Sequence, residues 1–305
     1  MIINSNSKNA IKPFKHILQF PISDNNDDGI VDLFLFPINA RNFDDECVAS
    51  NLLESVADYA LSWSYRENNK DKTMLISQQA RAKFRDLQNN KGELGELLLF
   101  CFLEGYLEAP KILTKLELKT SNQMYVNGSD GIHLKKISDN RYHLIFGESK
   151  MYKDLSVAFK KAFKSIYDFK NEINSSGVSK SGIAFEKGLI SRHIDNAMFN
   201  DDEEELVNIL LYPNNKATTN MILDDAFSIF IGYEIDISEE QKKFSNEDFP
   251  HKIEEKIKKQ IETFKDKIYD FICNNQLLGH TFYVFIVPFA NIDASRKKIL
   301  GKVLG

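Results

Sequence analysis

Hydrophobic positions change period several times along the chain, and each change marks an element. Residues 1–30 are mostly polar and read as irregular around Ser-Asp-Asn-Asn-Asp-Asp-Gly. Residues 30–37 form a short apolar run that predicts a strand. From Glu46 to Tyr65, Val48, Leu52, Leu53, Val56, Tyr59, Ala60 and Trp63 recur near the helical period, with Asp44 or Asp45 placed to cap the helix. A polar break at 68–73 precedes a second short helix over 78–87. Residues 93–107, ELGELLLFCFLEGYL, predict a strongly apolar helix that stops before Pro110. Over 111–119, Ile112, Thr114, Leu116 and Leu118 alternate with Lys111, Lys115, Glu117 and Lys119, which favours a strand over a short helix. Residues 126–131, VNGSDG, are turn-forming, and the runs 132–137 and 142–146 flank a turn at Ser138–Asn140, giving a β-hairpin. Residues 154–173 predict a helix. A buried strand over 226–235, an amphipathic helix over 254–273 and a strand over 281–287 form a β-α-β unit with adjacent parallel strands. A short basic helix closes the chain. The fold class is α/β.

The hairpin register follows from burial. If paired residue numbers sum to 278, one face carries Asp130, Ile132, Leu134, Lys136, Tyr142, Leu144, Phe146, Glu148 and Lys150. The other face carries His133, Lys135, Ile137, Arg141, His143, Ile145 and Ser149 and reads as the wetter one, with both histidines at the surface. A slip by one residue would mix the two sets. The register that keeps the apolar face together places Asp130 opposite Glu148.

Two carboxylates at the end of an apolar face repel one another and are stabilised by a cation between them. Hard oxygen donors in small number suit Mg²⁺ or Mn²⁺, with water and a substrate phosphate completing the shell. Lys150, on the same face, is suited to orient an attacking water or to stabilise charge developing on a phosphate. Glu93 and Glu96 are three apart at the start of the apolar helix and so lie near one face. Either can serve the site; Glu96, deeper in the helix, is preferred. Lys153, Lys160, Lys161 and Lys164 follow and are positioned to hold a nucleic-acid backbone by charge.

Charge refines this picture. The 305 residues carry a net charge of −5, unlike a protein that binds nucleic acid by bulk charge. Residues 201–250 hold thirteen Asp and Glu against three Lys, whereas residues 251–305 hold ten Lys and Arg against six Asp and Glu. A charged partner would meet one region and be repelled by the other. Three scattered cysteines without a CxxC pair argue against a disulfide framework or zinc site and suit a reducing cytoplasm. No apolar run is long enough for a membrane span. No P-loop, GxGxxG, GxSxG or HExxH motif is present, so NTP hydrolysis, dinucleotide chemistry and zinc proteolysis have no support.

The helix with KGELGE (91–96), then GSDGIHL (128–134), then IFGESK (145–150) and a following helix resemble the PD-(D/E)xK nuclease superfamily. Within it, the chain is similar to the HamA family, nuclease subunits of Hachiman anti-phage defence systems. GELGELL, GSDGIHL, FGESKMYKDLSVA and the segment 33–61 carry that similarity. The resemblance implies a restriction-endonuclease-like core with a mixed central sheet flanked by helices over 86–305. Residues 1–85 would then form an N-terminal α/β extension for packing or partner contact. It implies catalytic Glu96, Asp130, Glu148 and Lys150, with Glu93 as a possible addition, and a metal held by Asp130, Glu148 and Glu96. It also implies a DNase restrained by HamB, a superfamily 2 helicase, and acting in the cytoplasm on DNA. The alternative is a non-catalytic regulatory or scaffold subunit on the same fold, binding the helicase or DNA. Ser129 stands where the superfamily name has proline.

Overall fold

Several apolar runs of the chain lie side by side as parallel strands. The computed structural model describes residues 1, 6–23, 28–84, 91–118, 128–172, 182–200, 203–212 and 220–305. The first half of the chain forms α1 (Asn6–Ile11), β1 (Lys15–Pro21), β2 (Gly29–Leu35), β3 (Ile38–Asn39), β4 (Asn42–Phe43), α2 (Asp45–Leu52), α3 (Ser55–Ala60), α4 (Trp63–Asn68), α5 (Thr73–Lys83), α6 (Glu93–Gly105), β5 (Lys111–Thr114), α7 (Lys115–Leu118), β6 (Gly131–Ser138) and β7 (Arg141–Tyr152). The second half forms α8 (Leu155–Lys170), α9 (Ile183–His193), α10 (Glu204–Leu211), β8 (Ile222–Glu234), α11 (Ser238–Lys243), α12 (Phe249–Glu262), α13 (Lys265–Asn274), β9 (Phe282–Phe289) and α14 (Ile292–Leu304).

Seven strands make one mixed sheet in the order β1-β2-β9-β8-β7-β6-β5. Strands β2, β9, β8 and β7 are mutually parallel, and β1, β6 and β5 each run antiparallel to an inner neighbour. Helices cover both faces, as a buried parallel sheet requires. On one face Phe102 of α6 stacks on Phe230 at 5.9 Å and on Phe285 at 5.4 Å between ring centroids. On the other, Phe163 of α8 meets Phe282 at 5.6 Å and Phe169 meets Phe146 at 5.4 Å. Each fully buried Phe contributes about 1.5–3 kcal/mol of transfer free energy, so this aromatic sandwich is the principal core. Strands β1 (Lys15–Pro21) and β2 (Gly29–Leu35) complete the same sheet.

The expected β-α-β unit is present, with β8 and β9 adjacent and parallel. Its helix is broken into α12 and α13, because Phe264 N–H bonds Ile261 O three residues back while its ring packs on Phe159 at 5.1 Å. The helix expected over 46–65 is three short ones. Leu61 is extended (φ −124°, ψ 152°), and Ser62 starts α4 by accepting from Tyr65 N–H. Asp44 caps α2 through Cys47 N–H, as its type predicts. The second short helix, α5, starts at Thr73, five residues ahead of the expected 78. Residues 15–21, expected to be irregular, form edge strand β1. The run 111–119 is a strand only to Thr114 and then turns helical. The hairpin register is the expected one: Gly131 pairs with Gly147, Ile132 with Phe146, Leu134 with Leu144 and Lys136 with Tyr142, before a bulge at the turn.

The face expected to be wetter is covered at its site end by α6, while Ile137 and Arg141 near the turn are exposed as expected. His133 is 1% exposed, its ring 5.9 Å from Phe100, with Nδ1 2.8 Å from Ala109 O. His143 is buried with Nδ1 2.9 Å from the Tyr283 hydroxyl. Burial holds the His133 imidazole down to about 3 and lowers His143 as well. Both are core residues, not surface ones.

Candidate functional site

Two glycines let α6 close on β7. A Cβ at Gly95 would stand 3.2 Å from Ser149 Oγ and 3.3 Å from Met151 Cγ, and one at Gly147 would stand 2.9 Å from Leu99 Cδ2. Glycine at both positions therefore brings Glu93 and Glu96, in the first turn of α6, alongside Glu148-Ser149-Lys150.

The second determinant is a fork in the sheet. Strand β6 leaves β7 at the Gly131–Gly147 pair, with one further bond from Asp130 N–H to Gly147 O at 2.8 Å. Strand β7 does not end at Glu148; it continues to Tyr152, paired to β8 through Glu148–Ile229 and Lys150–Ile231. Beyond the fork Asp130 takes over the role of the departed strand. Its Oδ2 accepts from Ser149 N–H at 2.8 Å and from Ser149 Oγ–H at 2.9 Å. Asp130 is itself positioned through its neighbour: Ser129 donates its N–H (2.6 Å) and hydroxyl (2.5 Å) to Glu186 of α9, a carboxylate only 3% exposed. Nothing in the sequence pattern links Glu186 to this loop.

Glu148 is buried and ion-paired with Lys150 across one intervening residue. Burial opposes the charge on Lys150, but Glu148 and Asp130 outweigh it and hold the ammonium above the ordinary lysine range. The cation thus sits in the field of both expected carboxylates.

On the α6 side the organiser is Tyr59 of α3, a residue the apolar spacing identified only as core. Its ring is buried between Phe84 and Phe100, at 5.8 and 5.4 Å, and its hydroxyl donates to Glu96 Oε2 at 3.1 Å. Burial, then the charges of Glu96 and Asp130, push this phenol well above its usual range, so it remains a proton donor. Lys111 anchors α3. Its buried ammonium donates to the carbonyls of Asp58 (2.7 Å) and Leu61 (2.9 Å) and pairs with Glu117 at 3.1 Å, a cation at a helix C-terminus. Of the two helix acids, Glu93 is the more buried, at 1% against 8% for Glu96, while Glu96 holds the Tyr59 contact.

The lysines expected to touch nucleic acid separate. Lys153 is exposed in the loop after β7, while Lys160, Lys161 and Lys164 are exposed on α8, where Lys164 pairs with Asp168. Part of the expected turn at 126–131 lies outside the described residues. Among the described residues no three His, Cys, Asp or Glu side chains form a ready-made metal cage. The donor set is nonetheless all hard oxygen, and Mg²⁺ is commonly held by one or two carboxylates plus water and substrate phosphate.

A family model matches residues 12–303 of the chain, and that family is HamA. The chain belongs to the HamA family. HamA membership fits a subunit of a Hachiman defence complex, and so a partner within that complex. Comparison with curated proteins gives no match. Among the described residues no helix of this HamA-family chain is long and apolar enough to cross a membrane.

Proposed function

We propose that this HamA-family chain is a metal-dependent DNase on a PD-(D/E)xK core, the effector subunit of its defence complex, restrained by a HamB-type superfamily 2 helicase. The observation that carries the reading is Lys150, whose ammonium is held by Glu148 and by the charge of Asp130 where β6 and β7 part. Asp130, Glu148 and Glu96 supply oxygen donors suited to Mg²⁺ or Mn²⁺, and Glu93 stands beside them. When bound, the ion would polarise a phosphoryl oxygen and lower the pKa of a water. The residues of the chain do the rest. Ser149 fixes Asp130, Tyr59 fixes Glu96, and Lys150 orients the attacking water and offsets charge gained by the phosphate.

Plasmid cleavage by the purified chain, alone and with its helicase partner, in Mg²⁺ or Mn²⁺ against EDTA, tests this. Asp130→Ala, Glu148→Ala and Lys150→Ala each abolish metal-dependent cutting while circular dichroism shows a folded protein. Wild-type cutting by all three overturns the site assignment. Binding of DNA or partner without any cleavage by the wild type would favour the scaffold reading.

A further inference from the structure

Beside Lys150 lies a second feature, to which Lys150 alone of the four expected catalytic residues contributes. A cavity of about 380 Å³ opens between the start of α6, the end of β7 and the start of the C-terminal helix α14. Lys91, Lys150, Lys153 and Arg296 line it against two acids, Glu234 and Asp293. The helix terminus does not supply the positive character, since Ile292 N–H is taken by Glu234 Oε1 at 2.9 Å and Ala294 N–H by Asn291 Oδ1 at 2.9 Å. Side chains supply it. Lys91 and Lys153 are exposed and form no ion pair among the described residues. Arg296 is 9% exposed; one guanidinium nitrogen pairs with Asp293 at 2.6 Å, but its buried Nε–H has no hydrogen-bond partner among the described residues. A desolvated donor of this kind calls for an acceptor, and a guanidinium favours the oxygens of a phosphate.

We propose that this cavity is a phosphate subsite, holding the DNA backbone phosphate next to the bond presented to Lys150, with Arg296 and Lys91 as its ligands. Asp293 then acts as a placeholder that keeps the guanidinium extended until the phosphate arrives. The subsite rests on the nuclease reading only for the identity of the polymer, and it makes the C-terminal helix part of the substrate site.

The test is equilibrium binding of a fluorescein-labelled DNA duplex to the full chain in EDTA, so that no cleavage enters. Titrations over a range of salt concentrations give the slope of log K against log salt. Losing one phosphate contact lowers that slope by about 0.9. Lys91→Met and Arg296→Met should each lose about that much and bind about tenfold more weakly at low salt. Lys302→Met, on the same helix but paired with Glu46 at 2.7 Å, should leave the slope unchanged. Because Lys91 is exposed, its variant carries the test even if Arg296→Met fails to fold. An unchanged slope for Lys91→Met, or an equal loss for Lys302→Met, overturns the proposal. If the wild type does not cut DNA but the slopes still separate, the subsite stands and the nuclease reading falls.

Discussion

Removing one oxygen from Tyr59 probes the site from the side that the sequence left hidden. Tyr59→Phe keeps the ring between Phe84 and Phe100 and deletes only the hydroxyl that reaches Glu96 Oε2 at 3.1 Å. A hydrogen bond to a charged group contributes about 1.5–3 kcal/mol. At about 2.1 cal/mol/K per residue, a chain of 305 residues has an unfolding entropy near 0.64 kcal/mol/K. The variant should therefore melt about 2–5 °C lower. The partner is identified by a double-mutant cycle with Glu96→Gln, which keeps the shape and removes the charge. A neutral acceptor leaves about 0.5–1.5 kcal/mol for the hydroxyl to lose, so the coupling is about 1–1.5 kcal/mol. Urea denaturation of the four proteins measures it. Equal costs of Tyr59→Phe in both backgrounds, within about 0.5 kcal/mol, would refute the claim that Tyr59 serves the Glu96 carboxylate.

Three further predictions concern the scaffold. Gly147→Ala should cost about 1–3 kcal/mol through overpacking against Leu99, whereas Gly188→Ala, with nothing within 4 Å of its added methyl, should stabilise α9 by about 0.5–1 kcal/mol; denaturant midpoints of opposite sign check the pair. Glu186→Ala leaves two buried Ser129 donors unpaired, at about 1–3 kcal/mol each, and should destabilise more than Ser129→Ala; equal costs would contradict the anchoring of the Asp130 loop. Glu104 is buried, and burial raises its carboxyl to about 7 despite its bond from Lys111 N–H and the Lys111 charge. Between the ordinary glutamate value of 4.5 and that value the folded state holds the extra proton, so Glu104 lowers stability as pH rises. His133, depressed from 6.5 to about 3, acts in the opposite direction, because the unfolded state holds the extra proton below 6.5. The two nearly cancel between about pH 4.5 and 6.5. Glu104→Gln should uncover a rise in unfolding free energy of about 1.4 kcal/mol per pH unit in that window; a slope unchanged from wild type would refute it.

How much of this was legible beforehand follows from which forces act locally. The hairpin register was readable because burial of one strand face forbids a slip, and the expected sum of 278 holds at Ile132–Phe146 and Leu134–Leu144. The parallel pairing of β8 and β9 was readable from two apolar runs joined by an amphipathic helix. The surface assignment of His133 failed because alternation along a strand does not report which helix covers its polar face; here α6 does. Lys111, one of the polar positions in the alternation over 111–119, is buried because the carbonyls at the end of α3 receive its ammonium. Edge strand β1 was missed because its pattern, with Lys15 and His16 outward and only Phe20 fully buried, has no sustained alternation. Tyr59 and Glu186 act through contacts 37 and 57 residues distant in sequence, and no local signal marks them. Tyr59 counted only as an apolar position, although a tyrosine at the helical period carries a polar tip that needs a partner once buried.

The proposed reading is that Asp130 and Glu148 would share a divalent ion where β6 leaves β7. Anomalous diffraction from crystals of the chain grown with a DNA duplex and Mn²⁺ addresses it directly. The expected result is one anomalous peak between the two carboxylates, with Lys150 turned toward a neighbouring phosphate. Ordered density for both side chains with no peak between them, or a peak bound elsewhere, would contradict it.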